Sequence, residues 1–252
     1  MEGKRYGMKS GAIDKAVFLD FDGVLFDTVK EAYCIAMLAS GRAKSVDDID
    51  FDSEHYGKFK ESRFLITAAP DYYYLLKAID KKTDIEDVYR QSVGSDAEGE
   101  KKFSQRYFDK RNSIKAGERD FWLSLNTPYD FLRFIKGIIT RRPEVFFIVT
   151  TKDKGTVADL LKIQKVRFRK ENIFGLGAAE AFRSKGEAIS FVREQHAVKR
   201  GLYIDDSEYH LSCSSGIDGI ETICAGWGYV SGTANAVSAG EALAKIKKFL
   251  GD

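Results

Sequence analysis

The sequence predicts an α/β protein with a doubly wound parallel sheet and an inserted helical domain, and three observations lead to this class. Short apolar runs alternate with segments of helical periodicity, as expected when strands are buried on both faces and joined by helices. The first apolar run stands alone near the start of the chain. Residues 28–126 follow it with helical patterns and no convincing strand, and the alternation begins only afterwards.

The first apolar run leads into two aspartates. Ala16 to Leu19 has the composition of a strand, and Asp20 and Asp22 follow with one residue between them. Residues two apart in a strand point to the same side, so both carboxylates should stand together at its carboxyl end, before a turn at Gly23. Carboxylates this close repel each other unless a cation or a shared proton intervenes. The pair therefore fits a metal site or an acid/base pair, and a solvated loop is the structural alternative.

Residues 28–126 are predicted to form a helical unit of their own. Apolar positions spaced three and four apart mark its helices. They cover residues 28–40, a segment that starts at Pro70–Asp71, and residues 84–119 with interruptions at Gly94 and Gly99.

The alternation of helices and strands begins at Thr127. This residue is expected to cap a helix that starts at Pro128, with Asp130 completing a capping box. Later strands are expected at Val145–Val149, Asn172–Phe174, Leu202–Ile204 and Ile220–Ala225, and later helices around Val157–Leu161, at 185–195 and after the capping-box pair Ser238 and Glu241. The simplest architecture is one α/β (Rossmann-like) domain, residues 1–27 and 127–252, interrupted by residues 28–126.

Composition narrows the possible partners. The chain has 252 residues and a net charge of +2, which is too balanced to indicate nucleic acid or a membrane surface as the main partner. No apolar run approaches the ~20 residues of a membrane span, and the first residues lack a secretory signal. The three cysteines are widely spaced, which argues against a disulfide framework or a zinc site and favours a cytoplasmic protein.

One basic segment allows two interpretations. Residues 165–170 interleave basic and apolar side chains. Such a pattern fits a nucleic-acid-binding strip or a solvated edge, and the balanced net charge favours the solvated edge.

Three of the predicted strands end in side chains that suit catalysis. Asp20 and Asp22 follow the first strand, Thr150–Thr151 the second, and Asp205–Asp206 a later one. Ligands bind beyond the carboxyl ends of strands in open α/β sheets, so these groups should meet in one crevice. Oxygen ligands without His or Cys favour Mg²⁺, and Lys185 at a helix start adds a positive charge. Singly, these residues are more often helix caps or a surface lysine; together they indicate a site.

These motifs resemble those of the haloacid dehalogenase (HAD) superfamily. The segment Asp20–Asp27 is similar to its first motif, Val149–Lys152 to the second, Lys185 to the third and Tyr203–Asp206 to the fourth. The segment Ala225–Tyr229 also resembles phosphoglycolate phosphatase-like members, which carry a helical cap domain after the first motif. Gly186 stands where those phosphatases usually have a proline, so the resemblance does not extend to their substrate.

The resemblance implies an α/β core and a helical cap at residues 28–126, with catalysis through an aspartyl phosphate. Asp20 would be the nucleophile and Asp22 the acid and base. The implied phosphate-binding residues are Gly23, Thr150, Thr151 and Lys185, and the implied Mg²⁺ ligands are Asp20, Asp22, Asp205 and Asp206. Arg63 in the cap is expected to meet an anionic group of the substrate, with a solvated arginine as the alternative.

The implied function is a Mg²⁺-dependent phosphatase that hydrolyses a small phosphorylated metabolite. A phosphomutase of the sugar-phosphate type would use the same residues without net release of phosphate. A dehalogenase needs no metal and generally lacks the second aspartate, so Asp22 and Asp205–Asp206 count against it. A non-catalytic HAD-like binding module is the remaining alternative. The sequence indicates neither the particular substrate nor the oligomeric state.

Overall fold

The computed structural model describes residues 12–81, 83–175, 182–232 and 235–252. The chain divides into two compact units. Met1–Leu25 and Tyr129–Asp252 form the α/β unit, and Phe26–Pro128 form the helical unit. The expected boundaries, 1–27 with 127–252 and 28–126, lie close to this division.

The described residues form eight strands and eleven α-helices. The strands are β1 (Lys15–Leu19), β2 (Phe26–Asp27), β3 (Thr127–Pro128), β4 (Phe146–Thr150), β5 (Ile173–Gly175), β6 (Arg200–Asp205), β7 (Ile220–Ala225) and β8 (Ala236–Val237). The helices are α1 (Val29–Ser40), α2 (Glu54–Glu61), α3 (Tyr72–Asp80), α4 (Ile85–Ser92), α5 (Ala97–Gly117), α6 (Arg119–Ser124), α7 (Asp130–Arg141), α8 (Lys154–Ile163), α9 (Lys185–His196), α10 (Glu208–Ser214) and α11 (Ala239–Leu250).

Six of the strands form one parallel sheet in the α/β unit. Their order is β5-β4-β1-β6-β7-β8, and every neighbouring pair is parallel. From β1 the chain adds β4 and β5 on one side of the sheet and then β6, β7 and β8 on the other. The predicted fold class, a doubly wound parallel α/β sheet, is therefore confirmed.

Strand β1 lies at the centre of this sheet. Its apolar residues Ala16 to Leu19 are fully buried, because β4 pairs on one side, β6 pairs on the other, and helices cover the faces. The ring of Phe18 stacks on that of Phe147 in β4, with centroids 5.6 Å apart. The direction of strand addition changes at β1, so the carboxyl ends of β4, β1 and β6 lie side by side at the switch point of the sheet.

Several predicted elements agree with the structure. Helix α1 covers the segment expected at 28–40, and β4, β5, β6 and β7 coincide with the four expected later strands to within a few residues. Helix α11 begins with the predicted capping box. There the Glu241 N–H donates to the Ser238 hydroxyl (3.3 Å) and the Ser238 N–H to the Glu241 carboxylate (2.8 Å).

The predicted helix start at Thr127 is wrong. Thr127 and Pro128 form strand β3, which pairs antiparallel with Phe26 and Asp27 of β2, and helix α7 begins at Asp130. The sequence Thr-Pro suits a short edge strand as well as a helix start. Both positions tolerate proline, because neither requires an N–H donor at that residue.

Gly99 does not interrupt the helical pattern as predicted, whereas Gly94 does. Gly99 lies in the first turn of α5, where its N–H donates to Asp96 at the helix start (2.9 Å). Gly94 has φ +78 and lies between α4 and α5. Helix α5 is strongly charged, and no helix in the described ranges is long and apolar enough to cross a membrane.

A buried ion pair lies inside the helical unit. The Oε1 atom of Glu31 in α1 lies 3.2 Å from Nε of Arg111 in α5 and accepts a hydrogen bond of 2.9 Å from the indole of Trp122 in α6. All three residues are buried. One carboxylate therefore connects three helices through two polar contacts.

We expect Glu31→Leu to lower the free energy of unfolding by about 3–5 kcal/mol, because Arg111 would keep its buried charge without this carboxylate. Glu31→Gln retains an oxygen that can accept from Trp122 and should cost less. Glu98→Leu is the control, since it removes a carboxylate from an exposed pair with Lys102 that is worth about 0–1 kcal/mol. Urea unfolding followed by circular dichroism measures all three. Equal losses for Glu31→Leu and Glu98→Leu would contradict a stabilising role for the buried pair.

Candidate active site

The polar residues that follow β1, β4 and β6 gather at the carboxyl edge of the sheet. The N–H of Asp20 donates to the carbonyl of Ile204 in β6 (2.9 Å), which extends the β1–β6 ladder by one residue and fixes where Asp20 leaves the strand. Thr150 is the last residue of β4, and Asp205 is the last residue of β6. The parallel register therefore brings these strand ends to one place.

Lys185 joins two of the carboxylates. Its Nζ atom lies 2.8 Å from Oδ1 of Asp20 and 2.8 Å from Oδ2 of Asp205. All three residues are buried, with 2%, 5% and 0% of their surface exposed for Lys185, Asp20 and Asp205. Lys185 is the first residue of α9, and the hydroxyl of Ser184 caps this helix by accepting from the N–H of Glu187 (3.1 Å). The cap thereby fixes where the lysine enters the site.

The protonation behaviour of this cluster follows from burial and mutual charge. Burial raises the pKa of Asp20 well above its ordinary value; Asp205 and Asp206 raise it too, while Lys185 opposes them. Burial would also raise the pKa of Asp205, but Lys185 outweighs it and the pKa is lowered. For Lys185, burial would lower the pKa, but Asp20 and Asp205 outweigh it and the pKa is raised. A lysine cation and an Asp205 anion are thus favoured, and Asp20 experiences an excess of negative charge.

Three buried carboxylates have the geometry of a cation site. Three carboxylate oxygens, one each from Asp20, Asp205 and Asp206, lie within 4.8 Å of one another. The donors are oxygens only, as a hard divalent cation such as Mg²⁺ requires. Lys185 supplies one positive charge against these three groups, so a divalent cation also fits the charge of the cluster. The main chain helps to orient Asp206, whose Oδ2 accepts from the N–H of Tyr229 (2.7 Å).

Asp22 lies beside a buried lysine. Nζ of Lys152 is 3.1 Å from Oδ1 of Asp22, and the Lys152 side chain is only 1% exposed. Among the described residues, the side chain of Asp22 is not part of the three-carboxylate group. Sequence reasoning gave Lys152 no role, although it stands two residues after Thr150. A lysine following a strand-end threonine pair is the signal that could have identified it.

The expected phosphate-binding residues lie on β4 and on the turn after β1. Thr150 is fully buried, and its Oγ1 accepts from the N–H of Lys152 (3.2 Å), which orients the hydroxyl. Thr151 follows it and is half-buried. Gly23 lies in the turn with φ +85, a left-handed conformation that favours glycine. The structure thus places all three near the strand ends that carry the aspartates.

Two glycines pack against Asp206. A Cβ atom on Gly23 would overlap the carboxylate of Asp206, and a Cβ on Gly228 would overlap the carbonyl of Gly23 and the side chain of Asp206. The indole of Trp227 donates to the carbonyl of Val24 (3.0 Å), which ties the segment after β7 to the turn after β1. Gly228 belongs to the segment Ala225–Tyr229 that carries part of the family resemblance, but its packing on Gly23 and Asp206 could not be predicted, because those residues follow other strands.

Tyr203 was also missed by sequence reasoning. It lies on β6 two residues before Asp205, so both side chains point to the same face, and its hydroxyl donates to Oδ2 of Asp205. The other oxygen, Oδ1, accepts from the N–H of Ser207 (2.9 Å). Together with Lys185, these donors hold Asp205 in one orientation. The period-two spacing from Asp205 is the signal that could have identified Tyr203.

Arg63 lies in the helical unit, where it contacts Ile66 and Tyr72 of the same unit. Its Nη1 donates to the carbonyl of Ile66 (3.1 Å), and its guanidinium lies 5.6 Å from the ring centroid of Tyr72. The expectation that Arg63 meets the substrate stays a prediction.

Comparison with known proteins supports the fold of this site. No family model and no curated protein matches the sequence. Among solved structures, a haloacid dehalogenase-like hydrolase from Streptococcus pneumoniae is 16% identical with a TM-score of 0.56, over 93% of this chain and 98% of that one. A predicted phosphoglycolate phosphatase from Haemophilus somnus is 12% identical with a TM-score of 0.56, over 94% and 98%. The Mycobacterium tuberculosis Protein Tyrosine Kinase A is 13% identical with a TM-score of 0.60, over 96% and 100%.

At these identities the similarity establishes the fold. The chain has the α/β fold of haloacid dehalogenase-like hydrolases, including phosphoglycolate phosphatase-like proteins, as the sequence motifs led us to expect. Because a protein named as a kinase shares this fold, the reaction has to be argued from the residues of the site.

We expect Gly23→Ala to destabilise the protein by more than its backbone conformation alone requires. An alanine at φ +85 costs about 1–2 kcal/mol, and its Cβ would also displace the Asp206 carboxylate. Gly232→Ala is the matched control in the same unit, since Gly232 has φ +65 and open space around it. Chemical unfolding should show a larger loss for Gly23→Ala. Equal losses in the free energy of unfolding would mean that the Asp206 side chain can move aside at no cost, contrary to the packing described above.

Proposed function

We propose that this protein is a phosphatase that hydrolyses a small phosphomonoester through a phosphorylated Asp20, with Mg²⁺ as its cofactor. The buried cluster of Asp20, Lys185, Asp205 and Asp206 at the carboxyl edge of the sheet carries this proposal. It combines a fixed carboxylate nucleophile, a buried cation for phosphoryl oxygens and oxygen donors for a metal. The similarity of fold to a haloacid dehalogenase-like hydrolase and to a predicted phosphoglycolate phosphatase supports the same proposal.

Asp20, Asp205 and Asp206 would hold the cation through their side chains, and Asp22 would contribute its backbone carbonyl. A bound Mg²⁺ supplies positive charge that stabilises the phosphoryl oxygens and offsets the surrounding carboxylates. The pKa of Asp20 is raised, which disfavours the ionised carboxylate that acts as a nucleophile. The positive charge of a bound Mg²⁺ would oppose this effect and favour the ionised form.

The reaction has two steps. In the first, a carboxylate oxygen of Asp20 forms a bond to phosphorus while the ester P–O bond breaks, and Asp22 gives a proton to the leaving oxygen. In the second, Asp22 takes a proton from a water molecule whose oxygen bonds to the same phosphorus while the bond between the Asp20 oxygen and phosphorus breaks. Inorganic phosphate leaves, and both aspartates return to their starting states.

The surrounding residues have supporting roles in this proposal. Lys185, the hydroxyls of Thr150 and Thr151, and the N–H of Gly23 bind the equatorial phosphoryl oxygens. Lys152 holds the carboxylate of Asp22, to which it is ion-paired at 3.1 Å. The helical unit is proposed to act as the cap that excludes bulk water, with Arg63 as a contact for the substrate.

We expect phosphatase activity to disappear in EDTA and to return with Mg²⁺. Excess Ca²⁺ should inhibit, because its larger and looser coordination shell disturbs the in-line geometry. Asp206→Asn should raise the Mg²⁺ concentration needed for half-maximal activity. Asp218→Asn is the control for the same change of charge, since Asp218 is fully exposed in an ion pair with Arg193. Phosphate release from p-nitrophenyl phosphate or acetyl phosphate measures each effect, and full activity in EDTA would rule out the proposed cofactor.

Asp20→Asn and Asp22→Asn should differ in their residual turnover and in whether they become phosphorylated. The nucleophile is indispensable, so Asp20→Asn should have no turnover. An acid/base residue contributes about 10²–10⁴-fold, so Asp22→Asn should remain slowly active. With acetyl phosphate, whose leaving group needs little protonation, Asp22→Asn should still become phosphorylated. Intact-mass analysis after rapid quenching should then show one added phosphoryl group on Asp22→Asn and none on Asp20→Asn.

The same experiment separates the alternatives. Label on Asp22, or phosphorylation that persists in Asp20→Asn, would overturn the assignment of both residues. A phosphorylated protein that converts a sugar phosphate to its isomer without net phosphate release would identify a phosphomutase. Failure of the wild-type chain to become phosphorylated by any phosphomonoester or acetyl phosphate would favour the non-catalytic module.

A further inference from the structure

A pocket lies in the α/β unit, away from the carboxylate cluster. It has a volume of about 600 Å³ and is lined by Pro143 before β4, by Ile173 at the start of β5, and by α8 and the loop that follows it. Helix α8 runs back from the carboxyl end of β4, so its last turn reaches the amino ends of the strands. The pocket is therefore at the opposite end of the strands from Asp20 and Asp205.

The walls of this pocket are strongly basic. Four cations line it, namely Lys162, Lys165, Arg167 and Arg169, and no carboxylate does. The acidic residues Glu144 and Glu171 are neighbours in sequence but do not belong to the lining. All four cations are exposed, and none forms an ion pair or a side-chain hydrogen bond with another described residue. Their charge is thus available to a ligand.

The floor of the same pocket is apolar. Leu161, Val166 and Ile173 are buried at its base, and Phe168 is a half-buried part of the wall. Consecutive basic and apolar residues from Lys165 to Arg169 all line this pocket, so the loop contributes both charge and apolar surface to it. The basic segment that the sequence favours as a solvated edge therefore lines a pocket.

The loop that carries the cations is held in place by hydrogen bonds. Helix α8 ends at Ile163, and Lys165, two residues later, has a left-handed conformation (φ +55). The N–H of Val166 then donates to the carbonyl of Leu161 (2.9 Å). Nζ of Lys136 donates to the carbonyl of Gln164 (2.8 Å), and the amide of Asn172 donates to the carbonyl of Phe146 (2.9 Å). The backbone of the pocket is therefore formed before any ligand binds, which lowers the entropic cost of binding.

We propose that this pocket binds a nucleoside polyphosphate. The apolar floor and Phe168 would accept the base, and Arg167 and Arg169 would bind phosphates through their planar, multiply donating guanidinium groups. The volume is within the range of small-molecule sites, about 300–1,000 Å³. Four cations match the three or four negative charges of a nucleoside triphosphate, whereas a fatty acid carries only one. Nothing in this assignment depends on the proposed phosphatase reaction.

Titration calorimetry with ATP at low salt and in EDTA tests the assignment while metal-dependent turnover is stopped. Wild type should bind one ATP saturably, and binding should weaken as salt is raised. The double variant Arg167→Glu, Arg169→Glu should bind at least about tenfold more weakly, because it loses two charge-assisted contacts. Lys165→Gly removes one cation while glycine keeps the left-handed conformation, so it should weaken binding with no loss of thermal stability.

Two control proteins locate the binding. The double variant Lys247→Glu, Lys248→Glu makes the same change of charge at two exposed lysines near the end of α11. At a salt concentration that screens long-range electrostatic interactions, it should bind ATP within about twofold of wild type. Asp20→Asn should also bind ATP as wild type does, which separates this pocket from the carboxylate cluster. Circular dichroism should show that every variant is folded.

Several outcomes would overturn the proposal. These are no saturable binding by wild type below millimolar ATP, undiminished binding by a folded double variant, or binding of inorganic triphosphate as tight as that of ATP. Tighter binding of a fatty acid, or of a short single-stranded RNA, that is abolished by the same double variant would reassign the pocket to that ligand. None of these results would alter the outcome of the phosphorylation experiment on Asp20.

Discussion

The contact of Lys185 with both Asp20 and Asp205 is the constraint on which the arrangement of the site depends. Burying several carboxylates in one place is strongly unfavourable unless positive charge is buried with them. The lysine ammonium, 2.8 Å from both groups, supplies that charge. Because Lys185 opens α9, the start of this helix and the ends of β1 and β6 must be positioned together. A shift of the helix by one residue would remove the cation and leave the acids unpaired.

Around this contact, neighbouring groups limit the freedom of each acid. Asp205 is held by Tyr203 and by a backbone N–H, and Asp206 is held by the N–H of Tyr229. Glycine at positions 23 and 228 leaves the space that the Asp206 side chain occupies. Pre-organised donors and charges of this kind need no rearrangement when charge develops on a substrate. The site thus owes its geometry as much to backbone amides and small residues as to the acids themselves.

The sequence predicted the α/β architecture and the residues at the strand ends, because both depend on local patterns. A buried strand followed by acids is visible in the segment from Ala16 to Asp22, and the parallel topology implies that strand ends meet. Contacts between distant segments could not be predicted in this way. The pairing of Lys152 with Asp22 and the packing of Gly228 on Asp206 join segments that follow different strands. Thr127–Pro128 fits two local structures equally, and only its pairing with Phe26–Asp27 decides between them.

The position of β1 in the chain has a consequence for how the protein is made. Its partners are β4, which begins at Phe146, and β6, which begins at Arg200, so both reach the ribosome exit after the whole of Phe26–Pro128. The helical unit can therefore fold during synthesis while the apolar strand β1 still has neither neighbour. Domains tend to fold as units as they emerge, and pairing over a long sequence separation is slow. The nascent chain thus carries an unpaired central strand through most of translation, a period in which chaperones have a target and aggregation competes with folding.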